Sequence, residues 1–237
     1  MNIRSCLAVM LVLFAAACAE PATTIAPGGS MDVLGPVPAM EPSPLPDDWI
    51  TQGAPQPGQL TVSDLDGVPA LKVANGANGF LAVKPSRASL LATPYLSWAW
   101  NMDPQDDGPH PVRLVVGFHG GNPGARSWTG AFTPSGGALP PLDRALNIVW
   151  GLSALERGSI ITPSTVKGKQ AAARYVQRGG QENTKSWWFE TVDLSDIYRR
   201  VWPNDDIGAV QITFIGIAAA PGRAPTSGYV SGIRLSR

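Results

Sequence analysis

The chain has 237 residues, 44% hydrophobic and 15% charged, enough for one domain with an ordinary core plus tails. Its formal net charge of +0, with no basic stripe, excludes a nucleic-acid binder, because neutralising phosphates takes clustered Lys and Arg. So much Gly and Pro (26 and 23), with so few charges, favours a turn-rich all-β protein over long charged helices.

The first 17 residues read as a signal peptide. Arg4 precedes an unbroken apolar run from Cys6 to Ala17. That run falls well short of the ~20 residues that span a bilayer and has the length of a signal-peptide core. Ala15-Ala16-Ala17 before Cys18 resembles the lipobox of bacterial lipoproteins, which implies a lipidated Cys18 at the mature N-terminus. Ala15 stands where Leu is usual, so an ordinary signal-peptidase cut after Ala17 stays open. The residues after Cys18 are Ala19 and Glu20 rather than Asp, which favours the outer membrane of a bacterial cell envelope. After cleavage Cys18 is the sole cysteine, so no intramolecular disulfide is possible. Residues 18–48 are rich in Pro and small residues and read as a lipid-anchored flexible linker, with the folded domain expected over 49–237.

Leu60 to Ser63 and Val68 to Val73 read as strands joined at Asp66-Gly67, a hairpin signal. Phe80 to Lys84 resumes a strand. Leu96, Trp98 and Trp100 alternate with small residues, and one buried face, expected to be core, follows from that period. Asp103, Asp106 and Asp107 sit in the polar loop before Val112 to Phe118. Gly120 to Pro141 is a long loop of Gly, Pro and Ser, a length that usually means a functional or a mobile segment. Ala145 to Gly151, Ser159 to Thr162, Ala171 to Arg178 and Lys185 to Val192 follow as strands, with Trp187 and Trp188 facing opposite ways. Asp193 to Val201 is the one helix: Asp193 caps it, and Leu194, Ile197, Tyr198 and Val201 form one apolar face. Ala209 to Ala218 and Tyr229 to Leu235 complete about ten strands. The expected fold is a jelly-roll β-sandwich with one short helix.

The succession of Leu96-Ser-Trp-Ala-Trp100, Arg113-Leu-Val-Val-Gly-Phe118, Leu146-Asn-Ile-Val-Trp-Gly151, Trp187-Trp-Phe-Glu-Thr-Val-Asp193, Ile212-Thr-Phe-Ile-Gly-Ile217 and Gly228-Tyr-Val-Ser-Gly-Ile-Arg-Leu235 resembles domain-of-unknown-function family 3047, uncharacterised bacterial envelope proteins. Its strand order is also similar to galactose-binding-like carbohydrate-binding modules. The resemblance covers residues 49–237 and implies fold and compartment rather than an activity. The loop before the last strand departs from the family, which often carries Thr-Asp-x-Asp there. Residues 218–226 hold no carboxylate, so a cation-binding role tied to those acids does not transfer.

No catalytic constellation stands out. His119-Gly-Gly121 faintly resembles an esterase oxyanion loop, but Gly151-Leu-Ser-Ala-Leu155 lacks the second glycine of a nucleophile elbow. The two histidines, His110 and His119, lack metal-ligand spacing on one element. Asp103, Asp106 and Asp107 are weak Ca²⁺ candidates, more simply read as turn formers, and no cofactor is expected. No carboxylate pair stands out for glycoside cleavage. Ligand binding on a sandwich face suits the eight Trp, since aromatic rings stack on sugars. The candidates are Arg113, His119, Trp128, Trp150 and Trp188. Arg113 shares a face with Val115 and His119 and requires a partner, either a ligand or an acid such as Asp103 or Asp107. The expected function is a non-enzymatic envelope lipoprotein binding a glycan or another envelope component, held at the membrane by a lipid. The alternatives are a polysaccharide-active hydrolase or lyase and a purely structural or assembly lipoprotein.

Overall fold

The computed structural model describes residues 29–35, 45–106, 108–122, 124, 138–162, 165–166, 169–170 and 172–237. In chain order the strands are β1 (Ser30–Asp32), β2 (Ile50–Gln52), β3 (Leu60–Leu65), β4 (Val68–Ala74), β5 (Phe80–Ser89), β6 (Tyr95–Met102), β7 (Val112–His119), β8 (Arg144–Gly151), β9 (Ile160–Ile161), β10 (Thr165–Val166), β11 (Lys169–Gln170), β12 (Ala173–Gly179), β13 (Trp188–Asp193), β14 (Gln211–Ala219) and β15 (Ser227–Ser236). Helix α1 (Leu194–Val201) lies between β13 and β14. Ten of these strands have six residues or more, as the alternation anticipates.

They form a jelly-roll β-sandwich. One sheet runs β13-β6-β15-β4-β3, with β1 also beside β15; the other runs β2-β5-β14-β7-β8-β12-β9. The pairings are antiparallel except that of β8 with β12. The β3–β4 hairpin closes through Asp66 (φ 56°) and Gly67 (φ 78°), the two left-handed residues that a two-residue turn demands. Strand β5 runs on through Pro85, further than expected. Against its partner β14 it bulges there, Ser86 and Arg87 lying opposite Thr213 alone, and the Ser86 hydroxyl donates to the Ile212 carbonyl at 2.8 Å.

Strands β6 and β7, neighbours in sequence, belong to different sheets, so the polar loop between them crosses the sandwich edge. This places Leu96, Trp98, Trp100 and Met102 of β6 opposite Leu114, Val116 and Phe118 of β7, all fully buried in one inter-sheet core. Trp98 and Trp100 meet edge to face at 5.2 Å, and Trp100 and Trp150 at 5.7 Å, contacts that add about 0.5–1.5 kcal/mol each beyond area.

The fold also reaches into the stretch expected to be linker. Ser30–Asp32 pairs with Arg234–Ser236, and Met31, Val33 and Leu34 are buried. The short alternation of Met31 and Val33 is masked in the sequence by the prolines that follow it. Helix α1 is capped as expected, with the Asp193 carboxylate accepting from the backbone N–H of Ser195 and Asp196. It buries Leu194, Ile197, Tyr198 and Val201.

Candidate functional site

The two faces of β7 differ. Leu114, Val116 and Phe118 point between the sheets; Arg113 and Val115 point to the outer face of the seven-stranded sheet. Register extends that face in rows. Ala218, Arg113, Val149 and Val176 lie side by side, as do Gly216, Val115, Asn147 and Arg174. The β5–β14 half is apolar: Leu81, Val83, Val115, Phe214 and Ala218 pack with Leu142 and Ala145, and with Leu139 from the end of the long loop. Gly117 leaves room for the Phe214 ring, since a Cβ there would fall 2.6 Å from the ring carbons Cδ1 and Cζ. The β7–β8–β12 half is different. There Arg113, Asn147 and Arg174 remain partly exposed around a floor of Val149 and Val176.

Arg113 has no acidic partner among the described residues. Its Nη1 reaches only the Pro111 carbonyl, at 3.4 Å, and its buried Nε has no acceptor. Burial lowers its pKa, and the positive charge of Arg174 lowers it further. The expected clasp to Asp103 is not formed; Asp107 lies outside the described residues.

Two buried carboxylates elsewhere, Asp205 and Glu190, are held by several donors. Asp205 accepts from Arg144 Nε at 2.8 Å and Nη2 at 3.0 Å, from the Tyr198 hydroxyl at 2.9 Å and from the Asn122 amide at 3.2 Å. Burial alone would raise this carboxyl, but the bonds from Arg144 and Tyr198, the Arg144 charge and the Asn122 amide outweigh it and hold its pKa below the ordinary range. Burial, and then the bond to Asp205, push the Tyr198 phenol up. Glu190 joins the two sheets at their edge, accepting from Gln177 Nε2 at 2.5 Å and Arg178 Nε at 2.5 Å. Neither acid is left as a proton shuttle. Sequence reasoning missed both clusters. The one signal was an acid, Glu190, sharing a strand face with the apolar Trp188 and Val192.

His119 sits at the base of the long loop, half-exposed, with Nδ1 3.6 Å from Asp143 Oδ2. The same oxygen accepts from the Gly120 N–H at 3.0 Å, while buried Oδ1 has no partner. The remaining candidates scatter. Trp150 is corrected from ligand contact to core: it is fully buried, with neither ring face open, because Leu146, Ile148 and Trp150 point between the sheets. Trp188 is half-buried, and the Arg178 guanidinium covers its ring at 3.6 Å. Its N–H donates to the Asn183 carbonyl and that of Trp187 to the Leu65 carbonyl, so the two rings diverge as expected. Ser153, of the imperfect elbow, caps a 3₁₀ turn by accepting from the Leu155 N–H. Trp128 and Cys18 lie outside the described residues, as do residues 1–28. Among the described residues no group of three His, Cys, Asp or Glu is placed to hold a metal, and no helix is long and apolar enough to cross a membrane.

No protein-family model matches the chain, and no curated protein sequence matches it. Among solved structures it is similar to a carbohydrate-binding module described for specific mannan recognition, at 14% identity over 88% of this chain and 95% of that one, with a TM-score of 0.34. It is also similar to a family 30 carbohydrate-binding module of a Clostridium thermocellum cellulosomal cellulase, at 10% identity over 79% and 90% with a TM-score of 0.37. A third likeness is to a family 12 xyloglucanase from Bacillus licheniformis, at 9% identity over 88% and 93% with a TM-score of 0.37. Binding modules and hydrolases thus stand side by side among these neighbours.

Proposed function

We propose that this chain is a non-enzymatic cell-envelope protein, lipid-anchored at Cys18 and of the kind grouped as domain-of-unknown-function family 3047. Its sandwich binds a glycan on the outer face of the seven-stranded sheet. The observation that carries this reading is the Arg113 guanidinium, which sits on that face without a carboxylate among the described residues, whereas Arg144 and Arg178 meet Asp205 and Glu190. A charge withdrawn from water without a protein partner is a feature of ligand sites. The address rests on the apolar N-terminal run and the Ala15-Ala16-Ala17-Cys18 junction. The test is a screen of the full chain, purified in detergent, against immobilised envelope and wall polysaccharides. Retention of at least one polysaccharide, lost in Arg113→Gln with unchanged thermal unfolding, is the expected result. Retention of none, or retention that Arg113→Gln leaves intact, overturns it.

A polysaccharide lyase or hydrolase is the second reading, favoured by one observation: His119 and Asp143 converge at 3.6 Å beside the long loop. Release of reducing ends or of unsaturated products by the full chain, abolished by His119→Ala, would establish it in place of simple binding.

A further inference from the structure

Several charged side chains on this sandwich meet opposite charges. Arg144 meets Asp205, Arg178 meets Glu190, Arg234 meets Asp32 and Lys84 meets Asp48. Two arginines on the outer face of the seven-stranded sheet have no such partner among the described residues. Arg113 on β7 has only a backbone carbonyl at 3.4 Å, and Arg174 on β12 forms no ion pair among the described residues. They lie on the same face, two strands apart and one row offset, with Asn147 beside Arg174 on the intervening strand. Two strands is roughly 10 Å, a span that two arginine side chains can close onto one group.

The surrounding sequence is of the same character. No Asp or Glu occurs between Asp107 and Asp143 or between Glu156 and Glu182. These two stretches supply β7 and β12 and together hold seven Lys or Arg, in a chain whose total charge is balanced. Glu156, at the end of the face beyond Gly151, is occupied by the Leu152 N–H at 3.1 Å. The charge that acts on Arg113 is a second cation rather than an acid.

We propose that Arg113 and Arg174 recognise the carboxylate of an acidic glycan, a polymer carrying uronic acid residues; this rests on the glycan-binding reading above and specifies its ligand. A carboxylate supplies the two acceptor oxygens that match a guanidinium fork, and it relieves both the orphaned Arg113 Nε and the repulsion between the two cations. Val149 and Val176 lie buried beside the arginines and keep the surroundings of the two guanidinium groups apolar, which strengthens a charged contact there. The Asn147 amide serves ring hydroxyls beside them. A bare phosphate offers no ring hydroxyls to the Asn147 amide.

The test measures binding of the full chain to polygalacturonate and to the same polymer after its carboxyl groups are reduced to alcohols. The expected result is binding to the first, weakened about ten-fold or more by carboxyl reduction, and by the same order in Arg113→Gln and Arg174→Gln. Affinity for polygalacturonate falls as salt rises. Arg113→Lys, which keeps charge but loses the fork, binds at an intermediate level. Arg223→Gln, an exposed cation on the loop before β15, leaves binding unchanged. Thermal unfolding of each variant separates loss of the site from loss of the fold. Equal binding to both polymers overturns the inference while leaving glycan binding in place. Binding to neither overturns the uronate assignment, and the polysaccharide screen then decides the broader reading. Displacement of polygalacturonate by anionic phospholipid vesicles, but not by oligogalacturonate, assigns the arginines to a membrane surface and also overturns it.

Discussion

His110 should make the fold lose stability in acid, and the size of the effect follows from its surroundings. The ring is 2% exposed. Its Nδ1 accepts from the Val112 N–H at 3.1 Å, and Nε2 lies 3.3 Å from the Thr226 hydroxyl oxygen. That hydroxyl gives its proton to the Pro104 carbonyl at 2.9 Å, so the network assigns the proton to Nε2 and a neutral ring. Burial pulls the pKa from 6.5 to about 4, against the smaller opposing effect of backbone groups at Asp103, Val112 and Ser227. The unfolded chain therefore takes up a proton near 6.5 that the native chain refuses until about 4. Stability is fully present above the unfolded value. It falls as pH drops through that interval, then levels below about 4. A gap of about 2.5 pH units corresponds to about 3 kcal/mol, a large part of a typical domain's stability. The assay is urea unfolding of the wild type and of His110→Gln, which keeps an acceptor for the Val112 N–H, between about pH 8 and about pH 4. The variant should be less stable at the higher pH, yet lose about 3 kcal/mol less over the interval. Parallel losses in the two chains would refute the reasoning, because the carboxylates common to both would then account for the whole acid response.

Three further outcomes follow from packing. Arg178→Met removes the closer cation from the buried Glu190, leaving Arg157 at 3.6 Å, and should cost about 3 kcal/mol by urea unfolding, much of it recovered in the double variant with Glu190→Gln. Gly117→Ala drives a Cβ into the Phe214 ring and should cost about 1–3 kcal/mol, whereas Gly67→Ala, with open space around it, is penalised only for its positive φ. Trp150→Ala should destabilise by about 3–5 kcal/mol and alter ligand binding only in proportion to unfolding, since Trp150 is core.

The sequence carried the secondary structure because alternation is local. Leu96, Trp98 and Trp100 announce a buried face, Asp66-Gly67 a tight hairpin, and Asp193 with Leu194, Ile197, Tyr198 and Val201 a capped amphipathic helix. It carried less about which face of a strand is core when both are apolar. On β8 the sets Leu146, Ile148, Trp150 and Ala145, Asn147, Val149 are separable by period, but only the opposing sheet decides that the first set points inward. Trp150 was misplaced for that reason. Long-range pairing was illegible altogether. Nothing local joins Glu190 to Arg178 across the two sheets, Asp205 to Arg144, or Met31 to the final strand. Arg113 was legible as a charge in an apolar strand, but its missing partner was not. The alternation put it beside Val115; only the three-dimensional arrangement puts Arg174, rather than Asp103, within reach.

The most direct test of ligand binding on the seven-stranded sheet is a map of arginine side-chain and backbone NMR shifts in the isotopically labelled full chain as an acidic oligosaccharide is added. Shifts concentrated at Arg113, Asn147 and Arg174, and saturating together, are the predicted result. Shifts centred instead on the opposite sheet, around exposed Phe189 on β13, would contradict it.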